Sequence, residues 1–305
     1  MSIHDIAEKI QELKKKRKAV ILVHNYQLPE VQDVADYLGD SLDLSRKAAE
    51  TEAEVIVFCG VHFMAETAAL LSPSKTVLIP SASAGCPMAD MITAPSLREL
   101  KKKHPEAIVV TYVNSTAEVK AMSDICCTSA NAEKIVRAID AEKIIFVPDK
   151  YLGGYIAKKT GKDMILWQGY CTVHVKILPE YILRSKKDHP RAEVIVHPEC
   201  TAQVVNLADR VLSTNGMCSY VKDSDCKEFI VGTEKGMVYR LQKENPDKKF
   251  YSFDPEPVCQ NMKKITIEKV LSSLEYMKHV VSVDEKIKDR AKKSIDKMLE
   301  YSRTN

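Results

Sequence analysis

Long hydrophobic runs, an excess of one charge and C-x-x-C cysteine pairs are all missing from this sequence of 305 residues. The apolar stretches are as short as strands and are interrupted by charged residues, so we expect neither a signal peptide nor a membrane span. The net charge of +3 gives no reason to expect a nucleic-acid partner. We therefore expect a cytoplasmic globular protein, long enough for two or three modules with cores of their own.

Nine cysteines are present, but none of them form the C-x-x-C spacing of many metal sites. Without a secretory signal, these cysteines are expected to be thiols or metal ligands and not a disulfide framework. Three of them, Cys86, Cys171 and Cys259, follow one another at intervals of 85 and 88 residues. The other six have no equivalents in three copies, and most of them are expected to be small buried residues.

The three cysteines belong to a repeated unit. In each copy an aromatic residue precedes an aspartate by twelve residues, and a hydroxyl side chain follows that aspartate after five. The cysteine comes 50, 47 and 50 residues after the aspartate. Self-similarity of this kind predicts three related globular subdomains. The equivalent residues are His24, Asp36 and Ser41; Tyr112, Asp124 and Ser129; and His197, Asp209 and Thr214.

Local patterns predict the fold of each unit. Seven short runs rich in apolar, β-branched residues alternate with helical segments and are predicted to be strands: VILV at 20–23, VIVF at 55–58, TVLI at 76–79, IVVT at 108–111, KIIFV at 143–147, VIV at 194–196 and FIV at 229–231. Strands that are buried on both faces and alternate with helices indicate a parallel sheet covered by helices. The predicted fold is therefore α/β, with three pseudo-symmetric three-layer α/β/α sandwich subdomains. We place their bounds at 1–88 with 262–305, at 89–174 and at 175–261. Two C-terminal helices, starting near Ile265, are expected to pack on the first unit.

Chemically active residues follow three equivalent strands: His24-Asn25-Tyr26, Tyr112-Val113-Asn114 and His197-Pro198-Glu199. In parallel α/β units, ligands bind beyond the carboxyl ends of the strands. A lone histidine or tyrosine at a strand end is usually structural, but three in symmetric positions are expected to line a common cavity.

The repeated hydroxyls give an independent indication. Ser41, Ser129 and Thr214 each precede a helical segment and are predicted to be helix N-caps. Helix N-termini also attract anions. If the three units are symmetric in space, a small ligand that carries several carboxylates or phosphates would be held between them.

Three thiolates from three copies of one module can meet at a pseudo-threefold axis. An iron–sulfur cluster with three cysteine ligands keeps one iron open, and such an iron can act as a Lewis acid. Zinc also uses three protein ligands and a water in its catalytic sites. The spacing alone leaves both metals possible.

Taken together, these residues resemble the quinolinate synthases, the iron–sulfur enzymes of de novo NAD biosynthesis. The resemblance covers essentially the whole chain. It is carried by the segments VHNYQ at 23–27, GDSLDLS at 39–45, CGVHFMAE at 59–66, GCPMAD at 85–90, YVNS at 112–115, CTSAN at 127–131, GYCTVH at 169–174, HPEC at 197–200, STNGM at 213–217 and PVCQNMK at 257–263.

The resemblance implies three stacked α/β domains around a central [4Fe-4S] cluster, and the condensation of iminoaspartate with dihydroxyacetone phosphate to quinolinate, phosphate and water. It also implies that an L-aspartate oxidase or dehydrogenase supplies the iminoaspartate. Cys86, Cys171 and Cys259 would be the cluster ligands. The substrate-binding residues would be His24, Ser41, Tyr112, Asn114, Ser129, His197, Glu199 and Thr214, and the proton-transfer residues would be Tyr26, Glu199, His174 and Tyr112.

Three further expectations concern particular residues. A carboxylate such as Glu199 in a largely apolar, closed site is expected to have a raised pKa. The glycines of YLGGY at 151–155 are expected to form a turn or a hinge. Some longer members of the family carry a C-x-x-C-x-x-C redox motif; here Met262 and Ile265 follow Cys259 at that spacing, so the disulfide switch is expected to be absent.

Two other classes of function remain open from the sequence. The first is a radical enzyme resembling those of diphthamide synthesis, which also surround a cluster with three cysteines from three domains. The second is an iron–sulfur sensor without catalytic activity. Neither explains polar strand ends suited to a small diacid together with three helix starts.

Overall fold

The first unit contains a parallel sheet in the strand order β2-β1-β3-β4. Its central strands β1 and β3 are buried almost throughout, as their apolar sequences predict. The structure is a computed structural model that describes residues 1–303. The elements of the first unit are α1 (Ile3–Arg17), β1 (Ala19–His24), α2 (Pro29–Asp33), β2 (Tyr37–Gly39), α3 (Ser41–Glu50), β3 (Val55–Cys59), α4 (His62–Leu71) and β4 (Thr76–Leu78).

The second unit repeats this topology, with the strand order β6-β5-β7-β8 and all pairs parallel. The YLGGY segment lies within helix α9, so the expected turn or hinge there is wrong. Gly153 packs closely on Phe146 and Leu166, where a larger side chain would collide. The elements are α5 (Pro87–Asp90), α6 (Ala94–Lys103), β5 (Ile108–Tyr112), α7 (Ala117–Lys120), β6 (Ile125–Cys127), α8 (Ala132–Ala138), β7 (Lys143–Val147), α9 (Lys150–Thr160) and β8 (Asp163–Leu166).

The third unit has the strand order β10-β9-β11-β12, again with every pair parallel. Its sheet is buried on both faces, because Val194 and Val196 belong to one hydrophobic cluster and Ile195, between them, to another. The elements are α10 (Pro179–Asp188), β9 (Glu193–Val196), α11 (Ala202–Asn206), β10 (Arg210–Val211), α12 (Thr214–Asp223), β11 (Glu228–Gly232), α13 (Gly236–Glu244) and β12 (Lys249–Tyr251).

The repeated aspartates have a structural role in all three units. In each unit the aspartate carboxylate accepts a hydrogen bond from a backbone N–H group of the central strand β1, β5 or β9. The backbone N–H of the same aspartate donates to the carbonyl oxygen of that strand residue. The carboxylate distances are 2.8 Å from Asp36 to Ile21, 2.9 Å from Asp124 to Val109 and 2.7 Å from Asp209 to Val194. These bonds fix the short connection that leads to the repeated hydroxyl.

Two helices complete the chain, α14 (Ile267–Tyr276) and α15 (Glu285–Arg303). As expected, α14 packs on α1 of the first unit. In contrast, α15 lies against α7 and β6 of the second unit as well as α4 of the first. The first two units share one large hydrophobic cluster with both helices, whereas the third unit has clusters of its own. No helix within residues 1–303 is long and apolar enough to cross a membrane.

Candidate functional site

The carboxyl ends of β1, β5 and β9 open into one cavity between the three units. All thirteen residues that the sequence singled out line it. Because the three sheets share one strand order, the equivalent strand ends and cysteine loops converge on it from three sides. The thirteen are His24, Tyr26, Ser41, Cys86, Tyr112, Asn114, Ser129, Cys171, His174, His197, Glu199, Thr214 and Cys259.

The predicted helix caps are wrong by one or two residues. Ser41 and Thr214 are the first residues of α3 and α12, and the capping side chains are those of Asp40 and Ser213. Ser129 lies ahead of α8, which begins after Asn131. Since their neighbours occupy the cap positions, the three hydroxyls are not needed to satisfy the helix ends. Their side chains line the cavity instead.

The three repeated cysteines occupy equivalent places. Each precedes a short helical turn: α5 after Cys86, the 3-10 turn His174–Lys176 after Cys171, and the 3-10 turn Met262–Lys264 after Cys259. All three thiols are partly exposed, whereas Cys59, Cys126, Cys127 and Cys200 are buried. All nine cysteines are free thiols.

The electrostatic surroundings of the three thiols are also equivalent. Burial raises the pKa of each thiol, for Cys86 to about 12. In every case the backbone N–H groups two and three residues further on lower the pKa again. Such N–H groups stabilise a thiolate or a cluster sulfur. The donor set therefore fits a metal cluster held by three thiolates.

A second possible metal group shares one of these residues. The ligand atoms of Cys171, His174 and Glu199 lie within 4.8 Å of one another and could hold a metal ion. Nδ1 of His174 is 2.8 Å from Glu199 Oε2 and 3.1 Å from Cys171 Sγ. These are hydrogen-bond distances, so the three side chains already satisfy one another without an ion.

A chain of short hydrogen bonds crosses the cavity wall. Tyr26 Oη lies 2.6 Å from Thr233 Oγ1, which lies 2.9 Å from His174 Nε2. Nδ1 of the same imidazole meets Glu199 Oε2, and Tyr112 Oη donates to Glu199 Oε1 at 2.6 Å. The chain thus joins side chains of all three units, and every member except Tyr26 is buried.

The pKa of Glu199 is lowered, so the expectation that it is raised is wrong. Burial raises the pKa of this carboxyl, but His174, His197 and the Tyr112 hydroxyl together outweigh that effect. Burial and the Glu199 charge in turn hold the pKa of Tyr26 and Tyr112 well above 10. At neutral pH the site therefore combines a carboxylate with protonated phenols.

His24 and His197 are neutral. Burial lowers the pKa of each imidazole to about 3. Nδ1 of His24 accepts the backbone N–H of Tyr26 at 3.2 Å, and Nδ1 of His197 accepts that of Glu199 at 3.4 Å. The proton of each neutral ring is therefore on Nε2. For His197 this atom lies 3.2 Å from Ser129 Oγ.

Among the residues that sequence reasoning missed, three have polar contacts that matter for the site. Thr233 completes the hydrogen-bond chain, and Glu234 lines the cavity and binds Lys263 at 2.9 Å. Thr233 and Glu234 directly follow β11, so the rule that ligands bind at strand ends was a signal for both. Lys263 gave no such signal, because its place in the site depends on a contact between distant segments.

A buried cavity of this kind, between three related parallel α/β units, defines an enzyme whose active site lies at a domain junction. Comparisons with known proteins agree. Residues 8–300 match the family model of NadA, quinolinate synthetase A protein. The chain therefore belongs to the quinolinate synthetase A family and is an enzyme.

The relatives are similar over their full length. The chain is 60% identical to the quinolinate synthase of Dehalococcoides mccartyi strain CBDB1, over 96% of this chain and 97% of that protein. It is 54% identical to quinolinate synthase 1 of Methanosarcina acetivorans, over 97% of each chain. The quinolinate synthase of Geotalea uraniireducens is 52% identical over 98% of each chain.

Proposed function

We propose that the chain is a quinolinate synthase of NAD biosynthesis, which condenses iminoaspartate with dihydroxyacetone phosphate to give quinolinate, phosphate and water. The observation that carries this proposal is the meeting of three equivalent thiols and a proton-transfer chain in one cavity. The relatives' names supply the product, and the cavity supplies the chemistry that its formation needs: anion binding, proton transfer and a place for a metal cluster.

The cofactor that we propose is a [4Fe-4S] cluster held by Cys86, Cys171 and Cys259. The equivalent loops and the N–H groups that face each thiol support this choice. With three protein ligands, one iron of such a cluster would stay open and would supply Lewis-acid chemistry. Zinc on Cys171, His174 and Glu199 is the second candidate, and it rests on the proximity of those three ligand atoms.

The substrates of this reaction carry carboxylates and a phosphate, and the cavity wall offers donors for them. Ser41 and Thr214 begin helices whose N-termini attract anions, and Ser129 lies just before a third. Neutral His24 offers an Nε2–H group, the Nε2–H of neutral His197 reaches the cavity beside Ser129 Oγ, and Asn114 contributes an amide. We propose that these six side chains bind the dicarboxylate and the phosphate, and that Tyr112 and Glu199 also contact the substrate.

Proton transfer is assigned to Glu199, His174, Tyr26 and Tyr112. A condensation, an isomerisation and two dehydrations all need protons to be taken up and returned. Glu199 is a carboxylate at neutral pH and can accept a proton from the substrate, but its lowered pKa makes it a weaker base than a free glutamate, so the adjoining His174 is assigned to take the proton on. Its contact with Nδ1 of His174, and the Thr233 hydroxyl beyond Nε2, offer a path for protons to the phenol of Tyr26.

Iminoaspartate is formed by oxidation of aspartate, and we propose that a cytoplasmic L-aspartate oxidase or dehydrogenase is the partner that supplies it. The bounds 1–88 with 262–305, 89–174 and 175–261 are kept as the proposed division into domains.

The test is quinolinate formation by protein that is purified and reconstituted with iron and sulfide under anaerobic conditions. Iminoaspartate is generated in the assay from aspartate, dihydroxyacetone phosphate is added, and quinolinate is measured by mass spectrometry. We expect activity in the wild type and in Cys218→Ser, and none in Cys171→Ser. Metal analysis distinguishes iron from zinc. Cluster-loaded protein that forms no quinolinate would contradict the proposal.

A further inference from the structure

Asn25 lies between two catalytic-site residues in the sequence, but its side chain points to a different set of partners. It is completely buried at the junction of the first and third units. Its Nδ2 donates to Thr214 Oγ1 at 2.8 Å and to Asn215 Oδ1 at 3.2 Å. Its Oδ1 accepts from Arg240 Nη1 at 2.5 Å. Apart from the Thr214 hydroxyl, no group of this network has a part in the proposed reaction.

Two charged residues, Arg240 at one end of the network and Asp43 at the other, determine the direction of its hydrogen bonds. Arg240 can only donate, and it meets Oδ1 of both Asn25 and Asn215, the second at 3.0 Å. Asp43 can only accept as a carboxylate, and it accepts from Asn215 Nδ2. Both amides are therefore fixed against rotation, so Nδ2 of Asn25 must be directed at Thr214.

This arrangement fixes the role of the Thr214 hydroxyl. Among the described residues, the one hydrogen bond at Thr214 Oγ1 is the bond that it accepts from Asn25. The cap of α12 is made by Ser213, so the threonine hydroxyl has no duty there. Its own proton is free to be donated, and Thr214 lines the cavity. A hydroxyl in this state is a donor for an anionic ligand.

The Ser129 hydroxyl is oriented in the same way, by a residue of a different element. The neutral ring of His197 carries its proton on Nε2, because Nδ1 accepts the N–H of Glu199. Nε2 therefore donates to Ser129 Oγ, at 3.2 Å, and leaves the serine proton free for the cavity. Two of the three repeated hydroxyls, those of Thr214 and Ser129, thus accept a hydrogen bond from a donor whose direction is fixed.

We propose that Asn25, held by Arg240, is a positioning and specificity-determining residue that makes the Thr214 hydroxyl donate to a carboxylate or phosphate of the substrate. The inference rests on the proposed function, because quinolinate and dihydroxyacetone phosphate are the anions in question. Recognition then requires an acceptor at this point, and a ligand that offers only a hydrogen-bond donor or an apolar group there is rejected.

The test is the isosteric substitution Asn25→Asp. An aspartate at 25 accepts the threonine proton and withdraws it from the ligand. It also loses the bond that Asn25 donates to Asn215 Oδ1, and its charged pairing with Arg240 offsets that loss and preserves the junction. We expect the Kd for quinolinate, measured by calorimetry on cluster-loaded protein, or the KM for dihydroxyacetone phosphate to rise at least tenfold. Whichever constant rises identifies whether the anion is a carboxylate or the phosphate. Iron content and thermal midpoint should stay within error of the wild type.

A double-mutant cycle separates this effect from simple repulsion by the added charge. In a Thr214→Val background, Asn25→Asp should change neither constant by more than about twofold, since no hydroxyl is left to reorient. Repulsion would act equally in both backgrounds. Asn206→Asp is the matched control: the one side-chain hydrogen bond that Asn206 makes within residues 1–303, accepted from Lys158, survives the substitution.

Two results would overturn the inference. The first is an Asn25→Asp variant whose two constants both stay within twofold of the wild type, and the second is an equal loss with and without the Thr214 hydroxyl. Wild-type protein that binds neither ligand would overturn the proposed function together with this inference, so the two failures are distinct.

Discussion

The buried ion pair between Glu234 and Lys263 holds the third cysteine loop against the turn that carries Tyr26. Glu234 accepts hydrogen bonds from the backbone N–H of Cys259 at 3.1 Å and of Gly236 at 2.7 Å. Lys263 donates both to Glu234 and, at 2.5 Å, to the carbonyl of Tyr26. Removing either charge should therefore loosen a proposed cluster ligand and a proposed proton-transfer residue together.

The size of the effect follows from burial. The Glu234 side chain is 0% exposed and that of Lys263 is 13% exposed. Loss of one partner leaves an uncompensated buried charge, which costs about 3–5 kcal/mol. We expect this loss for Glu234→Gln and for Lys263→Met. The double variant should be less destabilised than the sum of the two, since it leaves no charge unpaired.

The neighbouring pair Lys235–Glu256 is a matched control. Its atoms are 2.5 Å apart, but its side chains are 42% and 51% exposed. Exposed pairs contribute about 0–1 kcal/mol. Lys235→Met should therefore change the free energy of unfolding little, although it removes a lysine one residue away from Glu234.

The measurement is urea unfolding of anaerobic, cluster-loaded protein, with the EPR spectrum of the reduced protein recorded for each variant. Glu234→Gln should both lower the unfolding free energy and alter the spectrum, because the Cys259 loop loses its acceptor. A loss within about 1 kcal/mol for both single variants, equal to that of the control, would refute the reasoning.

Three further predictions concern the cavity. Serine at position 86, 171 or 259 should abolish iron loading as measured by metal analysis. Serine at position 59 should not, because Cys59 is buried away from the cavity. Full iron content in any of the first three variants would contradict the proposed ligand set. Thr233→Val should lower kcat at least tenfold with little change in KM, since it breaks the path between His174 and Tyr26 without touching the anion donors; an unchanged kcat would exclude that path. Because the folded pKa values of His24 and His197 are about 3, below the unfolded value of 6.5, the unfolded state binds more protons between these values, and stability should fall as the pH drops below about 6.5. The loss is about 1.4 kcal/mol for each histidine per pH unit, and a His24→Gln/His197→Gln variant should show less of it in urea unfolding at pH 5 and pH 7.

The sequence predicted the architecture because the repeat and the apolar runs are local patterns. All seven strands predicted from those runs are present, and they form the interiors of the three sheets with part of their edges. The short edge strands β2, β6, β8, β10 and β12 were not predicted, because they are only two to four residues long and partly polar. The segment PEVQDVADYL at 29–38 has a helical pattern, but α2 ends at Asp33 and residues 37 and 38 already belong to β2.

The parts that could not be predicted depend on contacts between distant segments. The pKa of Glu199 is set by His174 and Tyr112, which lie 25 and 87 residues away in the chain, and no local pattern reveals them. The Glu234 partner of Lys263 and the side-chain partners of Asn25 likewise lie far away in the chain, in the third unit. Helix α15 has an apolar stripe that predicts burial, but the stripe does not reveal that the helix would bridge two units.

The central claim is a three-cysteine cluster that is open to the ligand cavity. Its most direct test is the EPR spectrum of anaerobically purified, reduced protein with and without quinolinate. We predict a [4Fe-4S] signal that changes when quinolinate is added, because the three proposed ligand cysteines line the cavity in which the product is proposed to bind. A cluster signal that ignores quinolinate, or no cluster iron after careful reconstitution, would contradict the account.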